Sequence, residues 1–163
     1  MLSIRFAKLE DATLLTNLIR EFAEYDRLGN EAMVVEEDVL RDGFGPRPRF
    51  RALIAEWDGY PAGYACFFQI YSTFQGRAGL FMDDLFVRPQ FRKKGIGKGL
   101  LAHVAKVALE EHYFCVRWEL PAWNTPAIDF FGALDAAFLD DWKAGMLIGD
   151  ALEAVAAVAK ESR

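Results

Sequence analysis

Arg88–Leu101, RPQFRKKGIGKGLL, runs from a strand-like segment into a helix-like one, with Gly95, Gly97 and Gly99 set among Arg92, Lys93, Lys94 and Lys98. A helix start leaves about four backbone amides unpaired and carries a partial positive charge, so it suits phosphate or carboxylate. Glycines there let a ligand approach the backbone closely. Taken alone, the stretch is equally a tight strand-to-helix connection with solvated lysines. Two nucleotide motifs fail on spacing. G-x-x-x-x-G-K-[ST] is not matched, because Lys98 follows Gly97 and is itself followed by Gly99. In G-x-G-x-x-G the third glycine would fall one place later than Gly99. Glu119, about 20 residues on, keeps a dinucleotide reading only weakly alive, because several strand-like segments precede the motif instead of one.

Outward from this stretch, Leu100, Leu101, Val104, Val107 and Ala108 form one stripe, which predicts a helix over Gly99–Glu111 packed on a sheet; Cys115–Leu120 reads as the next strand. Strand, glycine turn, helix and strand make a crossover unit, which is parallel and right-handed. Upstream, Gly79–Val87 (GLFMDDLFV) has apolar residues on both sides of Asp83 and Asp84, the mark of a strand covered on both faces. Phe50–Glu56 and Ala62–Tyr71 read as an antiparallel pair turned by Asp58-Gly59. Leu2–Phe6 is a further strand, and Asp11 stands before a helix carrying Leu14, Leu15, Leu18, Ile19 and Phe22. A helical piece over Val35–Leu40 ends in DGFGPRP. Beyond the crossover, Pro126 sits in the first turn of a short helix, Thr125–Leu134; a last strand, Trp142–Ile148, and an alanine-rich helix, Asp150–Lys160, complete the expected elements. The sheet is therefore expected to be mixed.

With 163 residues, 53% of them apolar, the chain fits one α/β domain over 1–163 around one core. A net charge of -5 argues against a general nucleic-acid surface, so any basic site is local. No segment approaches the roughly 20 apolar residues of a membrane span, and the first residues lack a signal-peptide pattern, which predicts a cytoplasmic protein with no membrane partner. Cys66 and Cys115 lie in apolar runs and are read as reduced thiols, no set of residues has metal-ligand spacing, and His103 and His112 are read as packing or solvated groups.

Arg92-x-x-Gly95-x-Gly97, directly after the strand ending FVRP, resembles the signature of the GNAT superfamily of acyl-CoA-dependent N-acetyltransferases. Asp38–Phe50, Phe81–Val87 and Ala122–Phe131 (AWNTPAIDFF) resemble its diamine and thialysine-acetylating branch. The resemblance implies a mixed, mostly antiparallel sheet with helices on both faces and a splayed strand pair, Gly79–Val87 against Cys115–Leu120. It implies acetyl-CoA as cosubstrate, a small primary amine as acceptor, direct attack in a ternary complex, and a homodimer. Backbone amides of Lys93, Lys94, Gly95, Ile96, Gly97 and Lys98 would hold the diphosphate, and the side chains of Arg92, Lys93, Lys94 and Lys98 would add local positive charge. Leu85, Phe86 and Val87 would pair with the pantetheine arm, and Asn124, Thr125, Pro126 and Ala127 would add contacts. Tyr25, Asp26, Asp84, Glu119 and Asp140 would line the amine pocket.

An ammonium has no lone pair, so the acceptor must lose a proton, and a carboxylate is the simplest base. Asp83 stands where the family has a glutamate and is the expected base. Strict alternation sends Asp83 and Asp84 to opposite faces unless the strand bulges there. Phe131 stands where the family has the tyrosine that protonates the leaving thiolate, and a phenyl ring cannot donate; slower chemistry, or a coenzyme A-binding sensor, is the alternative. Asp135 replaces a glycine that ends the helix, a left-handed position aspartate tolerates. Ser72 and Phe74 replace an acid and a tryptophan of the polyamine enzymes, which shifts the expectation from spermine to a smaller or amino-acid-like amine.

Overall fold

The computed structural model describes residues 1–159. Five strands, β1 (Leu2–Phe6), β2 (Arg51–Trp57), β3 (Tyr60–Ser72), β4 (Arg77–Val87) and β5 (Val116–Arg117), lie side by side in chain order. The first three pairings are antiparallel and β4–β5 is parallel, so the sheet is mixed, as the crossover implied. The β2–β3 turn holds Asp58 at φ 52° and Gly59 at φ 82°, the two left-handed residues that give a two-residue hairpin the twist of its strands.

Met1–Pro121 and the residues from Ala122 on are two compact units. The first contains the sheet with α1 (Ala12–Tyr25), α2 (Glu36–Phe44) and α3 (Ile96–Glu110); the second contains α4 (Thr125–Gly132) and α5 (Gly149–Ala156). In the first unit, Leu15 and Leu18 of α1 and Val39 of α2 are buried against Ala52, Tyr64, Cys66 and Phe86. Ile96, Leu100, Val104, Val107 and Ala108 of α3 are buried on the other side, where Gly99 lies so close to Ile4 and Leu2 that a Cβ would come within 3.0 Å of the Ile4 Cδ1. Ile4 pairs with Ala55, an odd number of residues from Ala52, so the two helix layers cover opposite faces. Truncating fully buried Leu100 to alanine would cost about 2–5 kcal/mol.

Several elements differ from their expected bounds. The second helix runs on to Phe44, because the first proline is Pro46 and only Gly45 before it, at ψ -177°, is forced out of the helix. The third begins earlier, at Ile96, within the glycine stretch. The last strand of the crossover shrinks from Cys115–Leu120 to Val116–Arg117, for a reason that belongs to the site below. Trp142–Ile148 forms no strand: alternation marks a segment able to pair but supplies no hydrogen-bonded neighbour, and Trp142, Met146 and Ile148 are exposed. The helix expected over Asp150–Lys160 spans Gly149–Ala156, and Lys160 lies outside the described residues.

Candidate active site

After β4, the chain makes a single 3-10 turn, Pro89–Phe91, and enters α3 through Lys93 at φ 60° and Gly95 at φ 76°. Left-handed residues in such a turn point successive amides outward into an anion-binding concavity. Lysine adopts this conformation at a cost; glycine does not. Among the described residues no side chain caps this helix start, and its first turn closes through Gly99 N to Gly95 O at 2.9 Å. Two of the cations hold the loop itself. Arg92 donates from Nε to the Val87 carbonyl at 3.0 Å and lays its guanidinium 4.4 Å over the Tyr25 ring. Lys94 places Nζ 4.9 Å over Trp57 and 5.9 Å over Phe91. Lys93 and Lys98 are exposed, and Gly97 is half-buried beside them.

β4 is paired on both sides only in its first half. Leu80 and Phe81 align with Val116 and Arg117, and β5 goes no further. Gly79 allows that close start, since a Cβ there would lie 2.8 Å from the Cys115 Sγ. The separation coincides with a bulge: Met82 pairs with Phe67 and Asp84 with Cys66, which leaves Asp83 as an extra residue. A bulge bends and twists its strand, and here it turns β4 from β5, so Met82–Val87 keeps an open edge. Backbone direction narrows the expectation for Leu85, Phe86 and Val87. Arg88 N donates to Ala62 O at 2.9 Å, so by alternation Phe86 also turns its polar groups to β3, and Leu85 and Val87 turn theirs to the open side. The Phe86 ring is buried in the core with Phe22, Tyr25 and Tyr64.

The bulge also decides where the paired acids go. At the bulge Asp83 is exposed and Asp84 half-buried, and the charges of both raise the Tyr64 phenol and the Cys66 thiol. Asp84 is half-buried and accepts a 2.9 Å hydrogen bond from the hydroxyl of Tyr64, itself wholly buried. Burial first, then the charge of Asp83 and to a lesser degree Asp26, push the Asp84 carboxyl up to about 7, against the lowering effect of the Tyr64 hydroxyl. Asp83 reaches solvent, yet burial of its carboxyl and the charge of Glu119 raise it as well. Asp26, at the end of α1, is raised by burial, and its Oδ1 is buried without a hydrogen-bond partner. The structure thus brings Tyr25, Asp26, Asp83, Asp84 and Glu119 into one neighbourhood of the first unit. Tyr64 was missed by the sequence reading, although a tyrosine inside the apolar run of β3 is itself a signal, because a buried phenol requires a partner for its hydroxyl.

In the second unit, Asn124 is buried and caps α4, its Oδ1 accepting from Ala127 N at 3.3 Å, with Thr125 and Pro126 exposed in the first turn. Phe131 is buried, edge-to-face with Phe130 at 5.0 Å between ring centroids. Asp135 takes the left-handed conformation, φ 58°, and Asp140 is exposed in a turn. At the β3–β4 tip in the first unit, the Ser72 Oγ accepts from Gln75 N at 3.2 Å, and Phe74 is 96% exposed. Cys66 and Cys115 are free thiols. Among the described residues no group of three or more His, Cys, Asp or Glu is placed to hold a metal ion, and no helix is long and apolar enough to cross a membrane.

Residues 14–135 match the model of the acetyltransferase (GNAT) family. The chain is 34% identical to a thialysine N-epsilon-acetyltransferase of Sus scrofa, over 94% of this chain and 96% of that one. It is 28% identical to the human spermidine/spermine N(1)-acetyltransferase-like protein 1, over 85% of this chain and 21% of that protein. Among solved structures, an integron cassette protein from the mobile metagenome of V. cholerae superposes with a TM-score of 0.80 at 21% identity, covering 95% of this chain and 97% of that one. A helix start bare of side-chain caps, beside a strand opened by a bulge that carries two acids, thus occurs in a chain that matches the family over most of its length: the protein belongs to the GNAT acetyltransferases, on the branch of the thialysine and spermidine/spermine enzymes.

Proposed function

We propose that the protein is one acyl-CoA N-acyltransferase domain that moves an acetyl group from acetyl-CoA to a small primary amine, by direct attack while both substrates are bound. The observation that carries this reading is the adjacency of the uncapped start of α3 to the open half of β4. The amides of Lys93–Lys98, with the charges of Lys93 and Lys98, take the diphosphate. Arg92 acts from behind, tying the loop to Val87 and Tyr25. Leu85 and Val87 offer the pantetheine a strand edge, and an amide there polarises the thioester carbonyl.

The acceptor is an amine that carries positive charge. Asp26, Asp83, Asp84 and Glu119 make an acidic lining beside Tyr25, and the pair Asp83 and Asp84 supplies the base. Ser72 is engaged in its own turn and Phe74 brings no charge, which favours a small or amino-acid-like amine over spermine. The similar relatives include enzymes named for thialysine and for L-ornithine, the latter from Arabidopsis thaliana, and both names fit such an acceptor. The homodimer is supported by Trp142–Ile148, strand-like in sequence, unpaired and exposed. A cytoplasmic location agrees with the acetyl-CoA requirement.

Thiol release from acetyl-CoA, followed across diamines, polyamines and amino acids, tests the reading. Turnover with a small diamine or a lysine-like amine is expected. Coenzyme A binding with no turnover across that panel would instead favour a sensor, the reading that the buried phenyl ring of Phe131 motivates.

A further inference from the structure

Resting on the acetyl-transfer reading, we propose that Asp84, held by the hydroxyl of Tyr64, is the group that takes the proton from the amine, and that Asp83 binds the amine without acting as base. As the extra residue of β4, Asp83 reaches solvent beside exposed Glu119, and among the described residues no hydrogen bond fixes its carboxylate. Asp84 is the residue in register, opposite Cys66, and its Oδ2 is fixed at 2.9 Å by a phenol that is itself immobilised in the core among Phe22 and Phe86. A base has to be oriented as well as basic, and only one of the two acids is oriented by a buried donor. The other oxygen of that carboxylate remains to accept a proton.

Three further groups face Asp84: the Cys66 thiol from β3, the Asp83 carboxyl from its own strand, and Asp26 from the end of α1. None of them is a cation. Asp26 Oδ1, buried and without a hydrogen-bond partner, lacks a donor that an ammonium would supply. An amine bound between Asp26 and Asp84 would therefore satisfy the Asp26 oxygen and present an N–H to the other acid. The same surroundings raise Asp84 to about 7, which suits a base that must be ionised near neutral pH yet hold a proton once it has taken one.

The step balances as follows. The R–NH3+ ion gives one proton to the Asp84 carboxylate and becomes R–NH2. The nitrogen lone pair forms the N–C bond at the thioester carbonyl, the C–S bond breaks, and the sulfur leaves with the bonding pair. The nitrogen, positively charged in the adduct, loses its second proton to the thiolate, giving the amide and the free thiol. Asp84 then returns its proton to solvent. No acid from the enzyme is needed at sulfur.

The test compares Asp84→Asn, Asp83→Asn and Tyr64→Phe in pH profiles of kcat and kcat/KM, using the best amine of the panel. In the wild type, activity rises as pH passes through about 7, because the ionised form is the active one. Asp84→Asn should lower kcat by roughly 100-fold to 10,000-fold and abolish that limb. Asp83→Asn should chiefly raise the KM for the amine and keep the limb. Tyr64→Phe removes the hydrogen bond that lowers the Asp84 carboxyl, so the limb should move to higher pH, a change that a purely structural role would not produce. Loss of the limb in Asp83→Asn, its retention in Asp84→Asn, or an unmoved limb in Tyr64→Phe would overturn the proposal while leaving acetyl transfer intact. Titration of the aspartate carboxyl carbons by NMR needs no turnover: the Asp84 midpoint should stand near 7 and rise in Tyr64→Phe, and an ordinary, unshifted midpoint would refute it even in a protein for which no amine had been found.

Discussion

The two ends of the proposed site, one for phosphate and one for the amine, are built in opposite ways. The phosphate end is contiguous: Arg92–Lys98 supplies backbone, turn and charge from seven successive residues, and its left-handed positions, Lys93 and Gly95, are properties of that stretch alone. The amine end is assembled: Asp26 comes from the end of α1, Tyr64 and Cys66 from β3, Asp83 and Asp84 from β4, and Glu119 from beyond β5. One end would work through amides and cations, the other through carboxylates that raise one another. The difference teaches that a binding loop is a local property of sequence, whereas a tuned acid exists only after the sheet has formed.

The comparison can be broken most severely at the contiguous end. Gly95→Val puts a β-branched residue at φ 76°, and coenzyme A affinity, read by calorimetry, should fall by about 30-fold or more with the amine end unaffected. A carboxyl titration that changed with it would mean the two ends are not separable. Within the same loop, Lys93→Ala should weaken coenzyme A by about five-fold, more than Lys94→Ala does, since the Lys94 ammonium already lies over Trp57.

The assembled end predicts a stability effect whose sign is fixed by the raised carboxyl. An unfolded aspartate ionises near 4, and folded Asp84 near 7, so across that window the folded state holds a proton that the unfolded state lacks. Stability therefore falls as pH rises from about 4 to about 7 and is level above it. Asp84→Asn, which still accepts from Tyr64, should raise the melting temperature at pH 8 by about 3 °C or more, and at pH 4 should change it little. The smallest expected effect is that of Phe131→Tyr. If a protein acid helps the leaving thiolate, kcat rises; if the nitrogen's second proton suffices, as argued above, the gain stays below about three-fold and cofactor affinity is unchanged.

This contrast also explains what was legible in the sequence. The mixed sheet, the Asp58-Gly59 hairpin and the crossover through α3 follow from periodicity and turn chemistry, which are local. Spacing, together with the several strand-like segments before it, set the glycine stretch apart from nucleotide-binding loops. The role of Tyr64 could not be read, because it depends on which residue of β4 stands across from β3, and one extra residue at Asp83 resets that register. The same bulge shortens β5, which apolar pattern alone had extended to Leu120. Arg92 and Lys94 were read as phosphate cations because charge is visible in sequence, whereas the rings of Tyr25 and Trp57 that hold them are distant in the chain. Trp142–Ile148 has the composition of a strand, but composition does not name a neighbour.

The central claim, that the start of α3 beside the open half of β4 receives the diphosphate-bearing cosubstrate, is tested most directly by titrating coenzyme A into the 15N-labelled protein. The account predicts that the amide signals of Lys93–Lys98 move first and farthest, followed by those of Leu85 and Val87. Saturable binding that leaves the Lys93–Lys98 amides in place and moves signals elsewhere would contradict it.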